Sequence, residues 1–409
     1  MWYNTNSMPI RKFTQTAFQE GEKILTRFFG RIWQYIKDMD KLLFLLILVI
    51  STYSLLLLKS VSRASDTNYF KTQLMAVVLG LVGAWILTLI DYSAISSFWY
   101  LIAGFSIFLM VYTMLFGISI QNEDGVNAKA WINLGFTTFQ SSELVKIAFM
   151  ITFAKHLTLL KERELMKKFL HVALLGVHAL IPMGLCVLQG DTGAAVIFFC
   201  MFLAMSFVAG VQLRYFAGLV GAPLVAAPLA WKYFLEEYQK KRFTAVYNLD
   251  DPIVARGDGY QQYQGRLSIG SGQFWGRGLF EGPRVESNRV TFQQSDFIFS
   301  VAGEELGFVG CVLIIALLVL LLLRTVHNAR VSRDPLGTYI CMGFFGMIAS
   351  QAIFNIGMCL AVLPVMGVTL PFFSAGGSSA ACLYFGYGLV QNVYLHHKEV
   401  DGFTLRRNR

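Results

Sequence analysis

Apolar runs of about 20 residues recur from Leu42 to Leu395, and each is long enough to cross the roughly 30 Å hydrocarbon core of a bilayer. A run of that length with few charges reads as a membrane-spanning helix, so the number and spacing of the runs decide the fold class. Composition agrees. Of 409 residues 55% are hydrophobic and only 14% charged, against about 25% charged in soluble domains. A soluble globular fold is excluded, and the chain reads as an all-α polytopic membrane protein.

Ten spans are expected, at 42–61, 72–90, 98–118, 142–160, 169–188, 192–209, 213–234, 299–323, 338–362 and 372–395. The net charge of +9 would suit a nucleic-acid partner if it were clustered, but the cations sit in the short segments between runs and alternate sides. With a cytoplasmic amino terminus, inner segments hold twenty Lys and Arg, while the short outer loops hold only Lys59, Arg63, Lys71 and Lys129. Such asymmetry places both termini in the cytoplasm and a large extracytoplasmic loop, residues 235–298, between spans seven and eight. Residues 1–41 form a basic arm with an amphipathic pattern and no signal-peptide core; residues 42–395 form the membrane domain and 396–409 a cytoplasmic tail. The six cysteines all lie in apolar runs with no CxxC pair, and read as small hydrophobes.

Charges near membrane depth are costly unless paired or facing water. Glu143 and Lys146 open span four at a spacing that puts them on one helical face, as a self-neutralising pair or as cavity groups. Asp191 stands between spans five and six, where it would cap the next helix. Asp296 stands at the mouth of span eight, with helix capping and solvation as its plain readings, and Glu304 and Glu305 follow two turns later. The long loop interleaves Arg256, Arg266, Arg277, Arg284 and Arg289 with aromatics and glycines, a mix that points to a functional lid. Its Gly270-Ser271-Gly272 lacks the Lys-Ser/Thr ending of a P-loop and reads as a tight backbone bend. There is no HExxH, no GxSxG and no Cys/His ligand set. Acids and bases converging on one end of the bundle suggest a polar cavity open to the outside.

The run NIGMCLAVLPVMGVTLPFFSAGGSS, from Asn355 to Ser379, resembles the signature of the SEDS family (shape, elongation, division and sporulation), the peptidoglycan glycosyltransferases RodA and FtsW. GVNAKAWINLGFTTFQSSELVKIA around Glu143 and Lys146, QGDTGAA around Asp191, GDGYQQYQGRLSIGSG from Gly257 and SDFIFSVAGEELGFVG from Ser295 agree in order. The loop sequences Ile269-Gly270-Ser271-Gly272 and Gly278 to Gly282 resemble the RodA version, whereas Val290 to Ser295 departs from the usual Leu-Pro-Glu-x-His-Thr, and Lys129 stands where Arg is common.

The resemblance implies a glycosyltransferase of the bacterial cytoplasmic membrane, its active site facing outside. Such an enzyme polymerises lipid II into glycan strands during cell-wall elongation and releases undecaprenyl diphosphate. It implies Asp296 as general base, Glu143 and Lys146 as cavity groups, and Asp191 and Lys129 as weaker members. Gln261 is implied as a sugar contact, with loop packing as its alternative, and Ser378 and Ser379 as packing residues with a second role at the substrate. A divalent cation, magnesium or manganese, is one way to compensate the diphosphate, the loop arginines are another, and no organic cofactor is implied. The implied partners are a class B penicillin-binding protein transpeptidase and the elongation machinery, with no nucleic acid. A lipid II flippase, a non-catalytic scaffold for a transpeptidase, and an FtsW-like division or sporulation paralogue are the alternatives. Expectations for a flippase include internal inverted repeats, and none is visible in the sequence.

Overall fold

A computed structural model describes residues 36–121, 127–133, 135, 138–233 and 237–397. Most of the basic arm and the carboxyl tail therefore lie outside the described residues. The chain is a helical bundle of α1 (Lys41–Val61), α2 (Tyr69–Thr88), α3 (Trp99–Phe116), α4 (Ser141–Glu162), α5 (Phe169–Leu188), α6 (Thr192–Ala209), α7 (Leu213–Tyr233), α8 (Tyr260–Gly272), α9 (Ile298–Val331), α10 (Pro335–Cys359) and α11 (Gly377–Leu395). All but α8 overlap an expected span, and seven, α1, α2, α3, α5, α6, α9 and α10, are long and apolar enough to cross a membrane by length and composition. The charges Glu143, Lys146, Lys155, Lys161 and Glu162 keep α4 out of that set.

At the centre lies α10, packed against α4, α6, α9 and α11. Close approach depends on glycine at a few positions. A Cβ on Gly80 of α2 would come within 2.5 Å of Tyr384, and one on Gly388 of α11 within 2.7 Å of Ala84 Cα. By contrast α3 and α5 are the least covered of these seven spans, 17% and 22% buried, and expose about half of their residues.

Two features depart from the expected pattern. Between α3 and α4 a three-stranded antiparallel sheet forms, β1 (Ile118–Gln121), β2 (Asn127–Asn133) and β3 (Thr138–Gln140), pairing Ile118 and Gln140 with Trp131 from either side. The last helix was expected to start beside Pro371 and begins instead at Gly377. Residues 360–376 stay irregular because their donors are used otherwise: Leu370 N–H meets Ser374 Oγ at 2.8 Å and Ala375 N–H meets the Gln294 carbonyl at 2.8 Å, while Phe372 holds φ at 66°.

The glycine-rich stretch of the long loop is stitched into a break in α9. Gly307 adopts φ 64° and ψ −158°, so Phe308 and Val309 lose their helical acceptors. They donate instead to the Gln273 and Phe274 carbonyls at 2.8 and 3.2 Å, and the stranded Glu304 and Glu305 carbonyls accept from Arg277 and Gly278 at 2.9 and 3.0 Å. All four backbone groups freed by the break are paired, as burial near a bilayer requires. Gly276 (φ 86°) lies across the break, where a Cβ would stand 2.1 Å from the Glu305 carbonyl oxygen.

Candidate functional site

Asp296 stands one residue before the N-cap of α9. That cap is Phe297 and carries no side-chain hydrogen bond, so the capping role is not the one Asp296 fills. Its backbone is held from several sides. The amide of Asn355, fully buried on α10, donates to the Asp296 carbonyl at 2.8 Å and to the Val368 carbonyl at 2.7 Å, and Cys359 Sγ approaches the same Asp296 oxygen at 3.5 Å. Ser374 donates to the neighbouring Ser295 carbonyl. A Cβ on Gly367 would be 3.9 Å from Asp296 Oδ2. Burial pushes the Asp296 carboxyl up to about 6, against a smaller downward pull from the Ser295 hydroxyl. At neutral pH such a carboxylate is ionised yet basic enough to take a proton.

A second focus lies at the same end of the bundle, where β3 runs into α4. Lys146 Nζ meets Glu143 Oε1 at 2.8 Å, with both residues buried. Asp191 caps α6 as expected, Oδ1 accepting from Ala194 N–H at 3.0 Å. Its other oxygen accepts from Gln140 Nε2 at 2.7 Å and from the Ser142 hydroxyl at 3.0 Å, which ties it to the turn that presents Glu143. The Gln140 N–H in turn donates to Ser378 Oγ at 3.3 Å. Ser379 instead turns back into its own first turn, its hydroxyl donating to the Gly376 carbonyl at 3.2 Å. Lys129 enters through its backbone, donating to the Gln189 carbonyl at 3.0 Å, while its side chain is exposed.

The irregular segment 360–376 joins the two foci. A Cβ on Gly193, two residues past Asp191, would lie 2.4 Å from the Met366 carbonyl oxygen and 3.0 Å from Val368 Cγ2, and Gly367 between them faces Asp296. On the other side Gln262 of α8, buried, donates to the Met358 and Leu363 carbonyls at 3.0 and 2.7 Å. Gln261, the residue singled out in the sequence, sits half-buried beside it on the first turn of α8.

Glu304 and Glu305 serve the loop. Glu304 Oε1 accepts from Arg284 N–H at 2.7 Å, and Glu305 takes the Ser60 hydroxyl of α1. Of the loop arginines, Arg284 is held by Ser268 at 3.0 Å and by Gln264, and Arg266 faces Asp250 at 3.0 Å. Arg256, Arg277 and Arg289 are exposed. Among the described residues no group of three His, Cys, Asp or Glu side chains is placed to hold a metal ion.

The profile of a family described as cell cycle proteins, FtsW, RodA and SpoVE, matches residues 38–399. The peptidoglycan glycosyltransferase MrdB of Escherichia coli K12 is 30% identical over 366 residues, covering 88% of this chain and 94% of that protein. A chain from a peptidoglycan synthase complex, solved for its coordination of polymerization and crosslinking, superposes with a TM-score of 0.74 at 30% identity, covering 88% of this chain and 98% of its own. The rod shape determining protein RodA of Thermus thermophilus gives a TM-score of 0.66 at 28% identity over 88% of this chain and 98% of its own.

Proposed function

This chain belongs to the cell cycle protein family of FtsW, RodA and SpoVE, and from that membership we propose that it is a multi-pass membrane glycosyltransferase that polymerises lipid II into glycan strands for cell-wall elongation. The observation that carries the reading is Asp296, a carboxylate free of any capping duty, raised toward neutrality and held by its backbone from α10 and the 360–376 segment.

In the reaction an acceptor GlcNAc 4-hydroxyl attacks the anomeric carbon of a donor MurNAc. The new C–O bond forms as the bond to the diphosphate oxygen breaks, with inversion, and Asp296 takes the hydroxyl proton. A base placed at the attacking oxygen supplies about 10²- to 10⁴-fold. Lys146, neutralised by Glu143 and set in a turn braced by Asp191, Gln140 and Ser378, orients the substrate on the far side of the bridging segment. Negative charge grows on departing undecaprenyl diphosphate, and the exposed Arg256, Arg277 and Arg289 are among the loop cations available to meet it. We place this end of the bundle outside the cytoplasmic membrane and expect a class B penicillin-binding protein transpeptidase as partner.

Purified protein supplied with lipid II in detergent tests the reading. A polymerase gives a ladder of glycan strands, with a larger yield when its transpeptidase is added. A flippase or scaffold gives none.

A further inference from the structure

A cavity of about 330 Å³ opens between α3, α4 and α5, at the lower end of ligand-pocket volumes, about 300–1,000 Å³. Two of its three walls are the least covered of the seven spans, so it is approached from the lipid side. Most of the lining is aliphatic or phenyl, but two histidines stand in it. Ionisable side chains at membrane depth are costly and mark function by default. These two lie far from the site already described: His156 follows Lys146 by ten residues on α4, roughly 15 Å along the axis.

Proton counting shows what the histidines lack. His156 Nδ1 and His178 Nδ1 are 3.1 Å apart, and His178 Nε2 is 3.3 Å from Thr152 Oγ1. Between two neutral rings one Nδ1 donates and the other accepts. If His156 donates, its Nε2 is left as a bare acceptor; if His178 donates, His156 Nε2 carries a hydrogen. Either way His156 Nε2 has no partner among the described residues. A hydroxyl, which both donates and accepts, satisfies both tautomers. A second acceptor lies nearby, since Pro182 has no N–H and leaves the His178 carbonyl without its i+4 donor. Ser106 adds no demand, its hydroxyl being returned to the Ile102 carbonyl at 2.7 Å.

We propose that the α3–α4–α5 cavity binds an apolar molecule bearing a single hydroxyl, a long-chain alcohol whose hydroxyl meets His156 Nε2. A free isoprenoid alcohol and a diacylglycerol both present that chemistry. The site is separate from the polymerising one, and its readout is binding, so it stands or falls independently of strand synthesis.

The test is photolabelling of the full chain in lipid nanodiscs with a diazirine derivative of farnesol, the adduct mapped by peptide mass spectrometry. Label is expected on the cavity-lining segments of α3, α4 and α5. Farnesol should displace it about tenfold better than farnesene, the matching hydrocarbon, as one added hydrogen bond predicts. Dioctanoylglycerol displacing better than farnesol assigns the site to diacylglycerol, and the reverse to the isoprenoid alcohol. Labelling elsewhere, or equal displacement by the hydrocarbon, overturns the proposal. His156→Phe keeps an aromatic ring and removes the nitrogens, so alcohol and hydrocarbon should then compete equally, with the melting temperature lowered by the lost His178 hydrogen bond but a folded protein retained. If that variant does not fold, the wild-type comparison of alcohol with hydrocarbon decides alone.

Discussion

Burial at Asp296 sets both a threshold and a sign. A base must be deprotonated, and its carboxyl is pushed up to about 6, so strand synthesis should fall tenfold per pH unit below about 6 and be flat above it, until another group titrates. Asp296→Asn should cost about 10²- to 10⁴-fold at every pH, with melting temperature and lipid II binding retained. Equal loss of stability and polymer would return Asp296 to a structural role. At the second focus, Lys146→Ala strands a buried Glu143, and breaking a buried pair costs about 3–5 kcal/mol. The double variant Glu143→Gln, Lys146→Met removes both charges and should recover most of the melting temperature without recovering strand synthesis. Recovery of both would make the pair purely structural. These charged residues were legible in the sequence because a charge near membrane depth demands a reason. Asn355, Ser374, Gln140 and Gln262 were not. Neutral polar residues raise no such demand, and Asn355 and Ser374 meet their partners 59 and 79 residues away.

The join between the long loop and α9 depends on glycines whose neighbours are backbone atoms. A Cβ on Gly272 would fall 1.9 Å from the Gly303 carbonyl oxygen, whereas one on Gly270, two residues earlier on the same helix, meets nothing within 4 Å. Gly272→Ala should therefore destabilise by about 1–3 kcal/mol, while Gly270→Ala should be neutral or stabilise by up to about 1 kcal/mol. Thermal unfolding of the solubilised protein separates them; similar midpoints would mean that the join contributes little. Runs of 20 apolar residues made the long helices legible; the tight bend expected at Gly270-Ser271-Gly272 lies instead just beyond them, where Gln273, Gly276 and Gly278 take positive φ, and the three residues themselves close α8. The sheet was not legible, since Asn127 to Asn133 alternates only as far as Ala130 and then runs apolar through Trp131 and Ile132. The break between the last two spans was legible at 363–371, but not its extension to 360–376, where Ala375 N–H is taken by the Gln294 carbonyl and Leu370 N–H by the Ser374 hydroxyl.

For the molecule as a whole, the asymmetry of twenty cations against four predicts orientation: a reporter fused near Gly259 should be outside and one after Arg409 inside. Both on one side would refute ten crossings. The order of the chain adds a consequence for its synthesis. Residues 273–278 leave the ribosome before α9, so the segment that closes the helix break exists by the time that helix enters the membrane. Asp296 is different, since Asn355 and Ser374 follow their partners by 59 and 79 residues, about 4 to 16 s at ordinary translation rates for the longer interval. A nascent chain stopped before α10 would carry the carboxylate with nothing to aim it. With Asp296 as the proposed base, its aim is set only once α10 and the 360–376 segment have followed it into the membrane.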